Sequence, residues 1–117
     1  MVSLPDVLLA LPDDVTAEEL GATYRAYHES REGEDSSAGA IALGYQWLSS
    51  GRVGHAVTLF GLNAETFAAD ANARFHLGEA YRYTGQPEQA AEQYRRVLEL
   101  DPDHANARAR LTQFHQR

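Results

Sequence analysis

Five histidines, His28, His55, His76, His104 and His115, are the side chains of this sequence best suited to moving a proton or holding a metal ion. No two of them form a His-x3-His pair that one helix face could aim at a single ion. With no Cys in the chain, no thiolate can complete a set, so no metal site is expected. His76 follows Phe75 directly and precedes Glu79 by three residues. It reads either as a ring bordering the core or as a partly buried, pH-sensitive binding residue. Asp13-Asp14 and Glu18-Glu19 have the pairing that acid–base chemistry uses, yet both sit at an expected helix start, where the helix dipole favours negative charge. All ten basic residues are Arg, which removes Schiff-base chemistry, a phosphate-loop lysine and a Ser-x-x-Lys acylation centre. No nucleophile, metal set or phosphate loop emerges, so the chain is expected to be no enzyme and to need no cofactor.

The net charge of −7 is placed unevenly. Residues 1–36 hold nine acids against Arg25 and Arg31, which is −7, while residues 37–117 balance eight acids against eight Arg. An acidic chain lacks the basic face that releases counterions from nucleic acid or docks on anionic headgroups, so neither partner is expected. The opening MVSLPDVLLALPDD has an apolar stretch with no preceding basic residue and acids just after it, unlike a secretory signal. No segment approaches the roughly 20 apolar residues of a membrane span. Cytoplasmic residence is the simplest expectation, and the all-Arg, Ala-rich usage suggests a GC-rich bacterial source.

The elements that position these side chains follow a repeat. Gly44 and Gly78 lie 34 residues apart, as do Leu43 and Leu77, Trp47 and Tyr81, Gly51 and Gly85, Ala56 and Ala90, and Phe60 and Tyr94. In residues 71–104 the apolar set Phe75, Leu77, Gly78 and Tyr81 gives way to Thr84-Gly85-Gln86-Pro87. Ala90, Ala91, Tyr94, Val97 and Leu98 then follow at helical spacing. This is a helical hairpin: Gly85 can end the first helix in the left-handed conformation, and Pro87 suits the first turn of the second. Pro102 stops that helix, leaving Asp103 to cap the next. Gly78 and Ala90 are expected to face each other as the small pair, with Tyr81 and Tyr94 filling the gaps on either side. Residues 37–70 repeat this with Gly44 and Ala56, Trp47 and Phe60.

The motif Leu77-Gly78-x2-Tyr81, then Ala90-x3-Tyr94, then Pro102 resembles the tetratricopeptide repeat (TPR), with Arg74 at the usual Trp position. Residues 37–70 are similar through Leu43-Gly44-x2-Trp47 and Ala56-x3-Phe60, but carry Ala40 at the first position and Ala68 where Pro is usual, which puts the turn at 67–70 in question. The resemblance implies an all-α array of stacked helical hairpins. The stretch from Leu59 to Leu111 also resembles the repeat tails found behind serine β-lactamase-like hydrolase domains of bacterial proteins, which implies an accessory module here.

Two repeats bury little continuous core, so the ends are expected to contribute. Thr16-x-x-Glu19 forms a capping box ahead of Leu20, Tyr24 and Tyr27, predicting a helix over about 17–31, preceded by a short one from Pro5 to about Leu11. The expected organisation is a degenerate hairpin over 1–36, repeat units over 37–70 and 71–104, and a terminal helix over 105–117, about seven helices in all. Residues 31–36 are the expected loose connection. Glu92 and Arg96 are expected to pair along an exposed helix face.

In repeats of this family the first helix of each unit lines a concave groove. The resemblance therefore implies a binding wall carrying Tyr45 from the first unit, Asn72, Phe75, His76, Glu79, Arg82 and Tyr83 from the second, and Asn106, Arg110 and Gln113 from the terminal helix. Asn72, Asn106 and Gln113 can satisfy the backbone of an extended peptide. Tyr45, Phe75 and Tyr83 can anchor it, and Arg82 or Arg110 can reach a carboxylate. The competing reading makes Phe75 core and the Asn residues mere helix-start residues. Of the Lys, Asn and Arg set with which some members clamp chaperone tails, only Arg110 retains a suitable cation, so no such clamp is expected. The leading expectation is an adaptor for a peptide or helix of another protein. A homo-oligomeric assembly module is the second.

Overall fold

The computed structural model describes residues 3–30 and 37–115. Its seven helices are α1 (Leu4–Leu9), α2 (Ala17–Ser30), α3 (Ala38–Ser49), α4 (Val53–Thr66), α5 (Ala71–Tyr83), α6 (Pro87–Leu100) and α7 (Ala105–His115), and no strand occurs among the described residues. The molecule is all-α, measuring 44 × 31 × 19 Å, and no described helix is long and apolar enough to cross a membrane.

Local chemistry sets the helix ends. Ser3 and Asp6 cap α1 reciprocally. At α2 the Glu19 N–H donates to Thr16 Oγ1 at 3.1 Å while the Thr16 N–H donates to Glu19 Oε1 at 3.3 Å, which is the expected capping box. Helix α2 runs to Ser30, and the connection expected over 31–36 lies outside the described residues. Gly51 and Gly85 have φ of 86° and 75°. After Gly85 the Gln86 N–H reaches back to Tyr81 O at 2.9 Å, and after Gly51 the Arg52 N–H reaches Trp47 O at 2.8 Å. Both are six-residue closures that only a left-handed residue permits without strain. Pro87 opens α6, and Asp101, extended before Pro102, ends it. The turn after α4 closes without proline: the Asp70 N–H donates to Phe67 O at 2.9 Å, and Asp70 Oδ1 caps the N–H groups of Asn72 and Ala73.

Two expectations need correction. Asp103 does not cap α7. Residues 102 and 103 form the turn, with the Asp103 N–H held by Asp101 Oδ1 at 3.1 Å. His104 takes the cap, its Nδ1 accepting the Ala107 N–H at 3.2 Å. Nor does Ala90 fill the space over Gly78. A Cβ at Gly78 would lie 2.7 Å from the Tyr94 ring, and one at Gly44 would lie 2.5 Å from the Phe60 ring. The small–large complementarity is therefore backbone against ring across each hairpin.

Consecutive helices pack as neighbours from α3 to α7, while α1 and α2 pack on each other and reach α3 and α4 respectively. Leu4, Leu8, Leu20 and Tyr24 of the first two helices join Leu43, Trp47, Leu59 and Phe60 in one core. Phe75, Ala90, Tyr94, Val97 and Ala107 form a second, and Tyr81 touches both. A buried polar chain crosses the first core. The Tyr24 hydroxyl donates to Asn63 Oδ1 at 3.1 Å, Asn63 Nδ2 donates to Ser37 O at 3.4 Å, and Ser37 Oγ donates to Asp70 Oδ2 at 3.1 Å. It ties α2 and α4 to the starts of α3 and α5, so Asn63 is buried with its amide in use.

Candidate functional site

Of the ten residues expected on the wall, Tyr45 sits on α3, Asn72, Phe75, His76, Glu79, Arg82 and Tyr83 on α5, and Asn106, Arg110 and Gln113 on α7. The structure brings eight of them into three groups and leaves Phe75 and Asn106 outside.

Tyr45, His76 and Tyr83 form the first group. The Tyr45 hydroxyl lies 2.6 Å from His76 Nδ1, and its ring stands edge-on to Phe60 at 5.1 Å and to Tyr83 at 6.5 Å. Burial, reinforced by the Glu79 charge, pushes the Tyr45 phenol up to about 12, so it stays neutral. Burial likewise holds His76 below its ordinary value, against the opposing pull of Glu79 and Asp70. The pair is thus two neutral groups sharing one short hydrogen bond.

The second group centres on Glu79, whose side chain is only 8% exposed. Its Oε1 accepts from the Tyr94 hydroxyl at 2.6 Å and from Arg110 Nε at 3.0 Å, and its Oε2 accepts from Arg82 Nη2 at 3.0 Å and Arg110 Nη2 at 3.3 Å. Burial alone would raise this carboxyl, yet the bonds from Arg82, Tyr94 and Arg110 hold it below its ordinary value. Burial and the bond to Glu79 in turn push the Tyr94 phenol up. Arg110 Nη1 also reaches Gln113 Oε1 at 3.4 Å. Arg82 and Arg110, considered above as receptors for a ligand's carboxylate, meet this internal one first. The cluster binds α5, α6 and α7 together.

The third group is Asn72 with His104. Because His104 Nδ1 accepts from the α7 backbone, its Nε2 carries the proton and donates to Asn72 Oδ1 at 2.9 Å. Phe75 is 8% exposed and packs against Tyr94 and His104, so it is a core residue of α5. Asn106 is exposed and stands apart from the three groups.

Sequence reasoning missed part of the rim of the wall, Val53 and Thr84. Tyr45, Leu48, Ser49, Val53, Tyr83 and Thr84 line a cavity of about 500 Å³ where the C-terminal ends of α3 and α5 meet the start of α4. Tyr83 is 64% exposed and Val53 40%. Val53 and Thr84 fall outside the first helices, so carrying over groove positions could not find them. An apolar residue directly after the Gly51-Arg52 turn was the available signal. Away from the wall, His55 Nε2 contacts Val15 O at 2.8 Å and His28 lies among Tyr24, Tyr27 and Phe67. The side chain of His115 lies outside the described ones. Among the described residues no group of three or more His, Asp or Glu could hold a metal ion.

Residues 71–104 match the family model for the tetratricopeptide repeat. A search of curated proteins returns no match. The matched residues are the α5–α6 hairpin with its flanking turns, the part that holds Gly78 against Tyr94 and contributes most of the wall. A repeat of this kind within an all-α array points, in general terms, to a protein–protein interaction module.

Proposed function

We propose that the wall of α3, α5 and α7 holds a peptide or helix of another protein and that the chain acts as a non-catalytic adaptor, cytoplasmic and without a cofactor. In this reading residues 37–70 and 71–104 are the two repeat units, 1–36 shields one end and 105–117 covers the other. The observation that carries it is the apolar cavity between α3 and α5, with Tyr83 left 64% exposed at its edge. An exposed Tyr beside a concave apolar surface is the kind of anchor that dominates interface energy. The buried Glu79 cluster supports the reading indirectly, because it fixes α5 against α7 and makes the wall rigid before a partner arrives.

The test is affinity purification with the full chain from its source cells, comparing wild type with Tyr83→Ser and with Glu92→Ala. Glu92 pairs with Arg96 at 3.1 Å on the exposed face of α6, as the sequence suggested, and neither lines the cavity. A partner lost with Tyr83→Ser and kept with Glu92→Ala supports the wall. A partner retained equally by all three sinks it. Concentration-dependent light scattering of the purified chain checks the homo-oligomeric alternative, which needs no second protein.

A further inference from the structure

We propose that the cavity beside Tyr83 is selective for a partner segment that places an apolar side chain next to a carboxylate, the apolar group entering the cavity and the carboxylate meeting Arg82. This rests on the wall being a binding surface and adds the chemistry of what it selects.

None of the six lining residues is charged, and helix α3 carries no charged side chain at all. An ion that entered would find no charged group in the cavity to compensate it, so an uncharged side chain is favoured, and Leu48, Val53 and the two tyrosine rings favour an apolar one. Arg82 stands at the edge. Its guanidinium carbon lies 5.1 Å from the centre of the Tyr83 ring, and that same ring lines the cavity beside Tyr45. One aromatic side chain thus separates the apolar site from the cation, so a single short segment spans both: neighbouring side chains on one helix face are roughly 5–6 Å apart.

The charge count favours an acid there. One Glu79 carboxylate faces two guanidiniums, leaving one positive charge in surplus. Arg110 spends Nε, Nη1 and Nη2 on Glu79 and Gln113, whereas Arg82 shares Glu79 through Nε and Nη2 and also interacts with Tyr94. The Arg82 side chain is 39% exposed, so it still meets solvent. Helix α7, bonded to α5 through Arg110, has Arg108 and Arg110 and no acid. A carboxylate on the partner would find a half-desolvated guanidinium already oriented by Glu79, so little side-chain freedom is lost on binding.

The experiment selects random 12-residue peptides displayed on phage against the immobilised full chain, then measures individual synthetic peptides by fluorescence polarisation. Enriched peptides should carry Leu, Ile, Met or Phe with Asp or Glu within four positions. Converting that acid to its amide should weaken binding to wild type by about fivefold, the scale of one exposed charge pair. The same conversion should change little on Arg82→Gln, which keeps a donor for Glu79 but loses the charge, and Arg82→Lys should restore the discrimination. Enriched peptides without an acid, or with one whose removal costs the same on Arg82→Gln, overturn the selectivity. If such peptides still lose affinity for Tyr83→Ser, the wall survives as a binding surface and only this inference fails. If no peptide enriches, or those that do bind Tyr83→Ser as well as wild type, both readings fail.

Discussion

The hairpins α3–α4 and α5–α6 share one 34-residue template yet leave opposite chemistry on the wall. In each, an aromatic ring of the second helix rests on a glycine of the first, Phe60 on Gly44 and Tyr94 on Gly78. Each first helix ends in the same glycine-closed turn. At the wall positions, however, Ile41, Ala42, Tyr45, Leu48 and Ser49 of α3 correspond to Phe75, His76, Glu79, Arg82 and Tyr83 of α5. One hydroxyl links the difference to the core: Tyr94 can donate to a buried carboxylate, Phe60 cannot, and the residue 34 places before Glu79 is the uncharged Tyr45. The ring-on-glycine contact fixes helix spacing in both hairpins, which leaves the wall positions free to differ. The seam between the apolar and charged halves is where the cavity lies.

The largest effect expected is from Gly78→Leu, which drives a branched side chain into the Tyr94 ring and should abolish cooperative unfolding of the α5–α6 hairpin, as read by circular dichroism. The milder Gly44→Ala and Gly78→Ala should each cost about 1–3 kcal/mol in urea denaturation, the range for overpacking a close contact. Gly44→Ala should be the worse, since its Cβ falls at 2.5 Å from a fully buried Phe60 against 2.7 Å for Gly78 and Tyr94. A Gly78→Ala protein with wild-type stability would mean that the two hairpins are not held by the same contact.

Next in size is Glu79→Leu, which leaves Tyr94, Arg82 and Arg110 without their shared acceptor and should cost about 2 kcal/mol, less than for a fully buried pair because both arginines can turn to water. Tyr94→Phe makes the second hairpin resemble the first and should cost about 1 kcal/mol, the usual worth of one hydrogen bond. The converse, Phe60→Tyr, should destabilise by a comparable amount, because its hydroxyl would enter a packed core beside Gly44 with no carboxylate to receive it. Equal stabilities for wild type and Tyr94→Phe would remove Glu79 from the account of why the hairpins differ.

What was legible in the sequence was whatever depends on near neighbours or on the repeat. The Thr16–Glu19 box, the left-handed Gly85, Pro87 in the first turn and the 34-residue period all follow from short-range rules that tertiary packing did not override. The Glu79 cluster was not legible as a cluster, although each member was named, because its bonds run 15 residues to Tyr94 and 31 to Arg110. A period relates equivalent positions and says nothing of which unlike positions meet. The cap of α7 was misplaced by one residue because Asp103 has the better capping side chain. The 34-residue period already puts His104 at the position equivalent to Asp70, and the geometry shows that His104 takes the cap there. The cavity was legible only in part, through Tyr45 and Tyr83, because Val53 and Thr84 lie beyond the ends of the first helices.

The smallest effect expected is a pH dependence that separates the hairpins, since His76 of α5 corresponds to Ala42 of α3. Burial lowers the His76 pKa in the folded protein, while Glu79 and Asp70 raise it and His104 lowers it further. In the unfolded chain the ring returns to its ordinary 6.5. As pH falls below that value the unfolded state takes up a proton that the folded state resists, so folding stability declines until the folded ring titrates as well. Above about 6.5 both states are neutral and the term vanishes. His76→Asn keeps an acceptor for the Tyr45 hydroxyl and cannot titrate, so its stability should change less than that of wild type between pH 7.5 and 5.5 in urea denaturation. Equal slopes would show that the Tyr45–His76 bond tolerates protonation by reversing its donor. The Tyr45–His76 contact would then be indifferent to acid, and the contrast between the hairpins would reduce to the Glu79 cluster alone.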